Sequence, residues 1–369
     1  LRELVLRPRT LRLVGNTLML VAGVLAVASA VALPLAWLSV RARVRFPMVF
    51  TLTGILPLAV PSYVTAYILL SMTGTFGVIA QTTGLAVPRV GGFAGALWAL
   101  SAYTYPYLFL NLRTALASVD PALEEAGRSL GLSRSAVVRR VVLPQLKAGY
   151  LAGALLVVLH VVGDFGVVSL MRFETLSYAL YLQYAAAFDR IYASWIGLML
   201  LVLAGGFVLI ERRLTRTSSE VSAATHRPAP RRALGRMRGP AWIFAGLLAA
   251  HSVALPIVTL VYWMAPGLEI SWADVASALG HSMQASLPPA VLAAALAIPV
   301  AWSAVRIRRR VARIPLRAAW LTYSIPPLAF ALGLVVFSLR AVPWAYQTIG
   351  LLVAAYTIRF LAEAVGPVR

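Results

Sequence analysis

The sequence predicts an all-α, polytopic transmembrane protein made of two tandem repeats, and three observations predict it. Of the 369 residues, 60% carry hydrophobic side chains and only 12% are charged, about half the charged share of a soluble domain. The apolar residues fall in long runs, enough for about nine spans at about 20 residues each. The 33 Lys and Arg against 12 Asp and Glu leave a net charge of +21, with the basic residues clustered between the apolar runs, as in membrane proteins of many spans. In a soluble chain that charge would point to nucleic acid; here no nucleic acid is expected. The lack of cysteine excludes disulfides, thiolate metal sites and thiol nucleophiles.

The runs lie near 14–40, 48–71, 93–117, 149–171, 191–210, 241–264, 283–305, 315–339 and 348–366. Pro34, Pro57, Pro61, Pro106, Pro299 and Pro326 interrupt them, and a proline in a membrane helix frees a carbonyl and permits bending. Arg41, Arg43 and Arg45 follow the first run; six basic residues lie from Arg113 to Lys147, eight from Arg212 to Arg238 and six from Arg306 to Arg317. These alternate loops are expected to face the cytoplasm. The opposite loops carry Arg89, Arg172, Arg190 and Arg340, while Arg2, Arg7, Arg9 and Arg12 at the start run against the rule. Every internal loop agrees, so the internal loops decide. The first residue is not Met and no secretory signal is legible.

Leu33-Pro34-Leu35-Ala36-Trp37-Leu38-Ser39-Val40-Arg41 returns as Ile298-Pro299-Val300-Ala301-Trp302-Ser303-Ala304-Val305-Arg306. Gly15-Asn16-Thr17 and Gly280-His281-Ser282 share that offset, as do Pro61 and Pro326; Ala102-Tyr103-Thr104 returns as Ala355-Tyr356-Thr357 after a slightly shorter interval. The expected organisation is a first half over 1–211 with a cytoplasmic loop at 118–147, a basic linker over 212–240 and a second half over 241–369. The repeat implies a missing first helix before residue 1 and further helices after residue 369, for twelve spans in all. Halves of six spans insert in the same orientation, with a substrate path between them. The linker, rich in Arg, Ser and Pro, reads as a flexible connector able to meet anionic lipid headgroups.

The loop between the third and fourth runs is more structured than topology requires. Leu123-Glu124-Glu125-Ala126-Gly127-Arg128-Ser129-Leu130-Gly131 contains helix formers ending in a glycine suited to a left-handed stop. Ser133 is placed to cap a second helix, and Pro144 is expected to close it. The segment resembles the EAA loop of the inner-membrane permeases of ATP-binding-cassette importers, with Glu125, Ala126, Gly131, Val141, Leu143 and Pro144 in register and Gly127 in place of a second alanine. The fused two-half layout and Gly163-Asp164-Phe165-Gly166 look most like the ferric-iron type. The resemblance implies a coupling helix that docks on a separate ATPase dimer, an extracytoplasmic or periplasmic binding protein that delivers substrate, and an inner-membrane location. It implies no enzyme activity and no cofactor on this chain, with ATP and Mg used by the partner. Glu124 and Glu125 are expected at that contact. The only lysine, Lys147, lies between Leu146 and Ala148, so no phosphate-cradling loop of the Gly-Lys-Ser/Thr kind exists here.

His160 and Asp164 are four apart, and on one helix they share a face. An intramembrane carboxylate is costly and marks function by default, so the two are candidates for a path used by a hard cation; no resident metal is assigned. A competing reading has Asp164 capping a helix break and His160 bonding a neighbouring helix. Glu174 and Asp189, on outer loops, are candidates for the binding protein. Thiamine, polyamines or another small solute are alternative substrates. An ion-gradient-driven transporter and a membrane transferase are rival classes, and neither explains the Glu125–Pro144 loop.

Overall fold

The computed structural model describes residues 7–187, 189–215, 231–264, 271–306 and 314–365. Within them the chain is almost wholly helical: α1 (Pro8–Arg41), α2 (Pro47–Ile55), α3 (Ser62–Met72), α4 (Val78–Thr83), α5 (Gly92–Ala117), α6 (Pro121–Ser129), α7 (Arg134–Gly163), α8 (Gly166–Leu170), α9 (Leu176–Ala185), α10 (Arg190–Thr215), α11 (Gly235–Met264), α12 (Trp272–Arg306), α13 (Ile314–Ser324), α14 (Pro327–Ala341) and α15 (Ile349–Val365). Two short strands, β1 (Ala42–Arg43) and β2 (Arg232–Ala233), pair in parallel. Residues 216–230 of the linker, 307–313 of the fourth basic loop and Arg2 lie outside the described residues.

Among the described residues five helices, α1, α7, α10, α11 and α12, are long and apolar enough to cross a membrane. A sixth crossing arises if the bent pair formed by α2, its following turn and α3 counts as one. The run near 48–71 is thus not a straight span: its two parts meet at 91°. Pro61 is the cause. The residue before a proline is pushed out of the helical region, and Val60 is extended, with φ −103° and ψ 115°. The run near 315–339 divides in the same way, at Pro326. The run near 93–117 is a continuous helix, α5, made less apolar by Tyr103, Tyr105, Tyr107 and Asn111.

The contacts divide the chain into two compact units, 1–196 with 206–264 and 197–205 with 265–369. In the first, α1 lays Leu13, Thr17, Leu20, Val24, Ala28, Ala32 and Leu35 inward, every third or fourth residue, as a helix must to keep one face on its neighbours. They meet α5, which buries Leu100, Leu108 and Leu112, and α7, burying Val157 and Val161, packs against both. Leu18, Met19 and Val27 of α1 stay exposed, which lipid tails tolerate as readily as a core does. Gly149 and Gly153 let α7 approach α5 closely: a Cβ on Gly153 would lie 2.9 Å from the Leu108 Cα, and one on Gly149 2.6 Å from the Ala115 Cβ. Helix α11 joins this unit through Trp242 against Phe50, Trp263 against Tyr67, and Trp98 Nε1 donating to His251 Nε2 at 3.0 Å. In the second unit α12 and α15 bury Ala297, Ala301 and Val365, joined by Leu316 of α13.

Candidate functional site

The elbow between α5 and α7 is built from its residues upward. Asp120 Oδ1 accepts the Ala122 N–H at 2.9 Å and Pro121 opens α6, because the first helical N–H groups lack partners and proline there loses nothing. At the other end Gly131 has φ +82°. Its N–H reaches the Arg128 carbonyl, and the Leu132 N–H reaches back to Gly127. This paired stop requires a left-handed residue, which glycine supplies without cost. The Ser133 hydroxyl accepts the Ala136 N–H at 3.3 Å and starts α7. Pro144, however, does not close that second helix. The chain runs helically from Arg134 to Gly163, with a π turn over Val138–Val142 just before the proline. A proline clashes with the carbonyl four residues back, and one widened turn relieves the clash without ending the helix.

Glu124 and Glu125, adjacent in sequence, part company in space. Glu125 and Ala126 are exposed, as are Leu123 and, at 84%, Leu130. Glu124 is buried and forms an ion pair of 2.8 Å with Arg41, the last residue of α1; the two side chains are 8% and 4% exposed. Arg41 Nη2 also donates to the Leu116 carbonyl at 3.3 Å. The elbow is thereby fixed to the ends of both α1 and α5. Gly127 faces inward, where an added Cβ would rest 3.4–3.6 Å from Val137, Leu132 and Val141, so an alanine fits this position. Val141 is half-buried, while Leu143 and Pro144 are exposed. Sequence reasoning missed Arg41; its signal was its place at the end of the repeated Pro-x-Ala-Trp stretch, but its acidic partner lies more than eighty residues away.

The membrane pair separates as well. Helix α7 stops at Gly163, and Asp164 is extended, with φ −69° and ψ 128°, so His160 and Asp164 do not share a helix face. Beyond the break Asp164 caps the next helix, its Oδ1 accepting from the N–H groups of Val167 at 2.9 Å and Val168 at 3.4 Å. Ser62 Oγ donates to Oδ2 at 3.3 Å, and Ser177 Oγ to the Asp164 carbonyl at 2.6 Å. One aspartate thus ties α3, α8 and α9 together. His160 stacks on Tyr107 of α5 with ring centroids 4.4 Å apart and has Tyr103 at 6.0 Å. Its Nδ1 lies 2.9 Å from the Leu156 carbonyl, an oxygen that only accepts, so the proton is on Nδ1. The hydroxyls of Tyr103 and Tyr107 are 3.1 Å apart. Asp189 Oδ1 accepts the Tyr192 N–H and caps α10. Among the described residues no group of three or more His, Asp or Glu gathers into a metal site.

Helices long and apolar enough to cross a membrane, a pair bent at a proline and a capped helical elbow fit a membrane transport subunit. Residues 20–220 match the family described as the binding-protein-dependent transport system inner membrane component, and the chain belongs to that family. It is similar to the Fe(3+)-transport system permease protein FbpB 2 of Haemophilus influenzae, 26% identical over 98% of this chain and 70% of that protein. A probable molybdenum ABC transporter permease protein of Haloferax volcanii is 34% identical over 51% of this chain and 69% of its own length. The molybdenum transport system permease protein ModB of Escherichia coli is 33% identical over 36% of this chain and 58% of its own. The chain is a permease subunit of an ATP-binding-cassette importer and a multi-pass protein of the inner membrane. Its relatives are permease subunits, not enzymes.

Proposed function

We propose that this permease passes ferric iron, delivered by an extracytoplasmic binding protein, into the cytoplasm, and that α6 is the coupling helix on which a separate ATPase dimer acts. One observation carries the coupling role. The helix α6 is capped at both ends and pinned beneath by Glu124 and Arg41, and it turns Leu123, Glu125, Ala126 and Leu130 outward. A helix held so firmly passes a displacement on to the helices it is tied to, where a loose loop would absorb it. Small and apolar residues let a partner backbone come close, and Glu125 offers a carboxylate to a cation across the contact. Leu143 and Pro144 complete the docking surface, with Gly127 and Val141 packed behind it and Gly131 turning the chain. ATP and Mg belong to the partner, and this chain holds no cofactor in the cycle.

The iron assignment is supported by coverage: similarity to the Fe(3+) permease runs over 98% of this chain, against about half or less for the molybdenum permeases. Two tandem halves with nine spans here belong to this proposal, and matched geometry supports the repeat. Pro61 and Pro326, which correspond in the repeat, both precede a helix, with φ −56° and ψ 144° in one and φ −53° and ψ 136° in the other. The linker over 212–240 joins the halves on the cytoplasmic side, near anionic lipid headgroups. A molybdate or sulfate permease is the second reading, favoured by the higher identity of those relatives, 34% and 30%, over the shorter stretches they match.

The test is reconstitution of the full-length protein with its candidate ATPase and binding protein, with uptake measured under competition by iron, molybdate, sulfate, thiamine and polyamines. ATP-dependent iron uptake that Glu125→Arg abolishes is the expected result. Uptake driven by an ion gradient without ATP overturns the coupling role, and indifference to competing iron overturns the substrate.

A further inference from the structure

We infer that Tyr103, Tyr107 and His160 form a transit site where the ferric ion is held briefly on its way through the membrane, an inference that rests on the iron reading above. Tyr103, Tyr107 and Asn111 recur at intervals of four and line one stripe of α5. Tyr107 lies roughly 22 Å along that helix from Gly92, at 1.5 Å per residue, a little past its middle. Transporters place their substrate groups near this depth. All three side chains of the site are half-buried, neither sealed in the core nor wholly open.

The chemistry suits a ferric ion. It is a small, hard, highly charged acid, and anionic oxygen is its preferred partner; a tyrosine oxygen is among the protein ligands that hold iron, and imidazole serves iron as well. The two phenol oxygens stand 3.1 Å apart. On an octahedral ion with bonds of about 2 Å, adjacent ligand oxygens are about 2.8 Å apart, so the pair needs little adjustment to grip one ion. His160 gives its Nδ1 proton to the Leu156 carbonyl, which places the lone pair on Nε2, the nitrogen able to ligate. On binding, each Fe–O bond replaces an O–H bond and two protons pass to water; release reverses this, and the iron stays ferric throughout. Asp164 already accepts from Val167, Val168 and Ser62, and the site is drawn without it.

Packing alone does not require the second hydroxyl. Tyr356 and Phe360 of α15 occupy the corresponding places in the repeat and set their rings 6.1 Å apart at 75°, against 6.0 Å at 73° for Tyr103 and Tyr107. The same ring arrangement therefore forms with a phenylalanine in it.

The experiment uses the complete permease and ATPase complex in lipid nanodiscs with ferric citrate as probe, comparing wild type with Tyr103→Phe/Tyr107→Phe, which keeps both rings. The wild type is expected to develop the visible charge-transfer absorption of a phenolate bound to ferric iron, and the double variant to lose it. ATP-dependent iron uptake should fall tenfold or more while ATP hydrolysis and the amount of assembled complex stay the same. Absence of the band in the wild type, or a band and uptake that survive in the variant, overturns the site. A wild-type complex that takes up another solute but no iron overturns the iron reading itself, a result distinct from iron uptake that ignores the two hydroxyls.

Discussion

The corresponding helices of the two halves carry the same words of sequence but use them differently. Arg41 ends α1 and sits buried against Glu124 at 2.8 Å; Arg306 ends α12 and lies exposed with its guanidinium 4.7 Å from the Trp302 ring. Tyr103 and Tyr107 share a hydroxyl contact, whereas Tyr356 and Phe360 share only ring edges. Outside the repeated pairs, Gly149 and Gly153 of α7 are pressed against α5, while a Cβ on Gly333 of α14, which corresponds to neither, would meet no heavy atom within 4 Å. The repeat thus conveys backbone shape and ring packing. Charge pairing, hydroxyl pairing and close helix approach depend on what else arrives at each place.

The sharpest way to break this comparison is to remove one charge from each half. Glu124→Gln leaves the Arg41 guanidinium buried without its carboxylate, and losing one partner of a buried pair costs about 3–5 kcal/mol. Arg306→Gln gives up a cation–ring contact worth about 1 kcal/mol or less at an exposed site. Thermal unfolding in detergent should show a large drop for the first and a small one for the second; equal drops would mean that the buried pair has no special standing. Next in size, Gly153→Ala forces a methyl onto the Leu108 backbone and is expected to destabilise by about 1–3 kcal/mol, while Gly333→Ala is neutral or stabilising by the same measurement. Gly131→Ala must hold a side chain at φ +82°, at a cost of about 1–2 kcal/mol; its clearest readout is weaker co-purification of the ATPase. The smallest effects are the most discriminating. Gly127→Ala should stabilise by about 0.5–1 kcal/mol, with uptake intact, because the helix gains a better former and the site accepts a methyl. Phe360→Tyr should leave iron uptake unaltered, and a gain or loss there would place substrate chemistry in the second half too.

The elbow was the most legible part of the molecule. Its stop at Gly131 and the cap at Ser133 are local events, decided within four or five residues by unpaired backbone groups and one left-handed residue, so the sequence announces them. Pro144 misled because a proline's effect depends on whether the chain has a reason to go on. A long apolar stretch follows it, and the helix gives up one regular turn instead of ending. For His160 and Asp164 the shared helix face was the wrong reading and the cap at a helix break the right one. Counting by four assumes an unbroken helix, and the break at Gly163 sends Asp164 to cap the next one.

From the sequence alone came the helical class, the membrane, the basic side, the family of the elbow and the repeated words, since each follows from composition or from neighbours along the chain. Tertiary structure alone chose which glutamate is buried and which is offered outward, which arginine holds it, and which two tyrosines meet a histidine between α5 and α7. Those choices join residues separated by tens of positions, and only the packing of whole helices brings them within reach of one another.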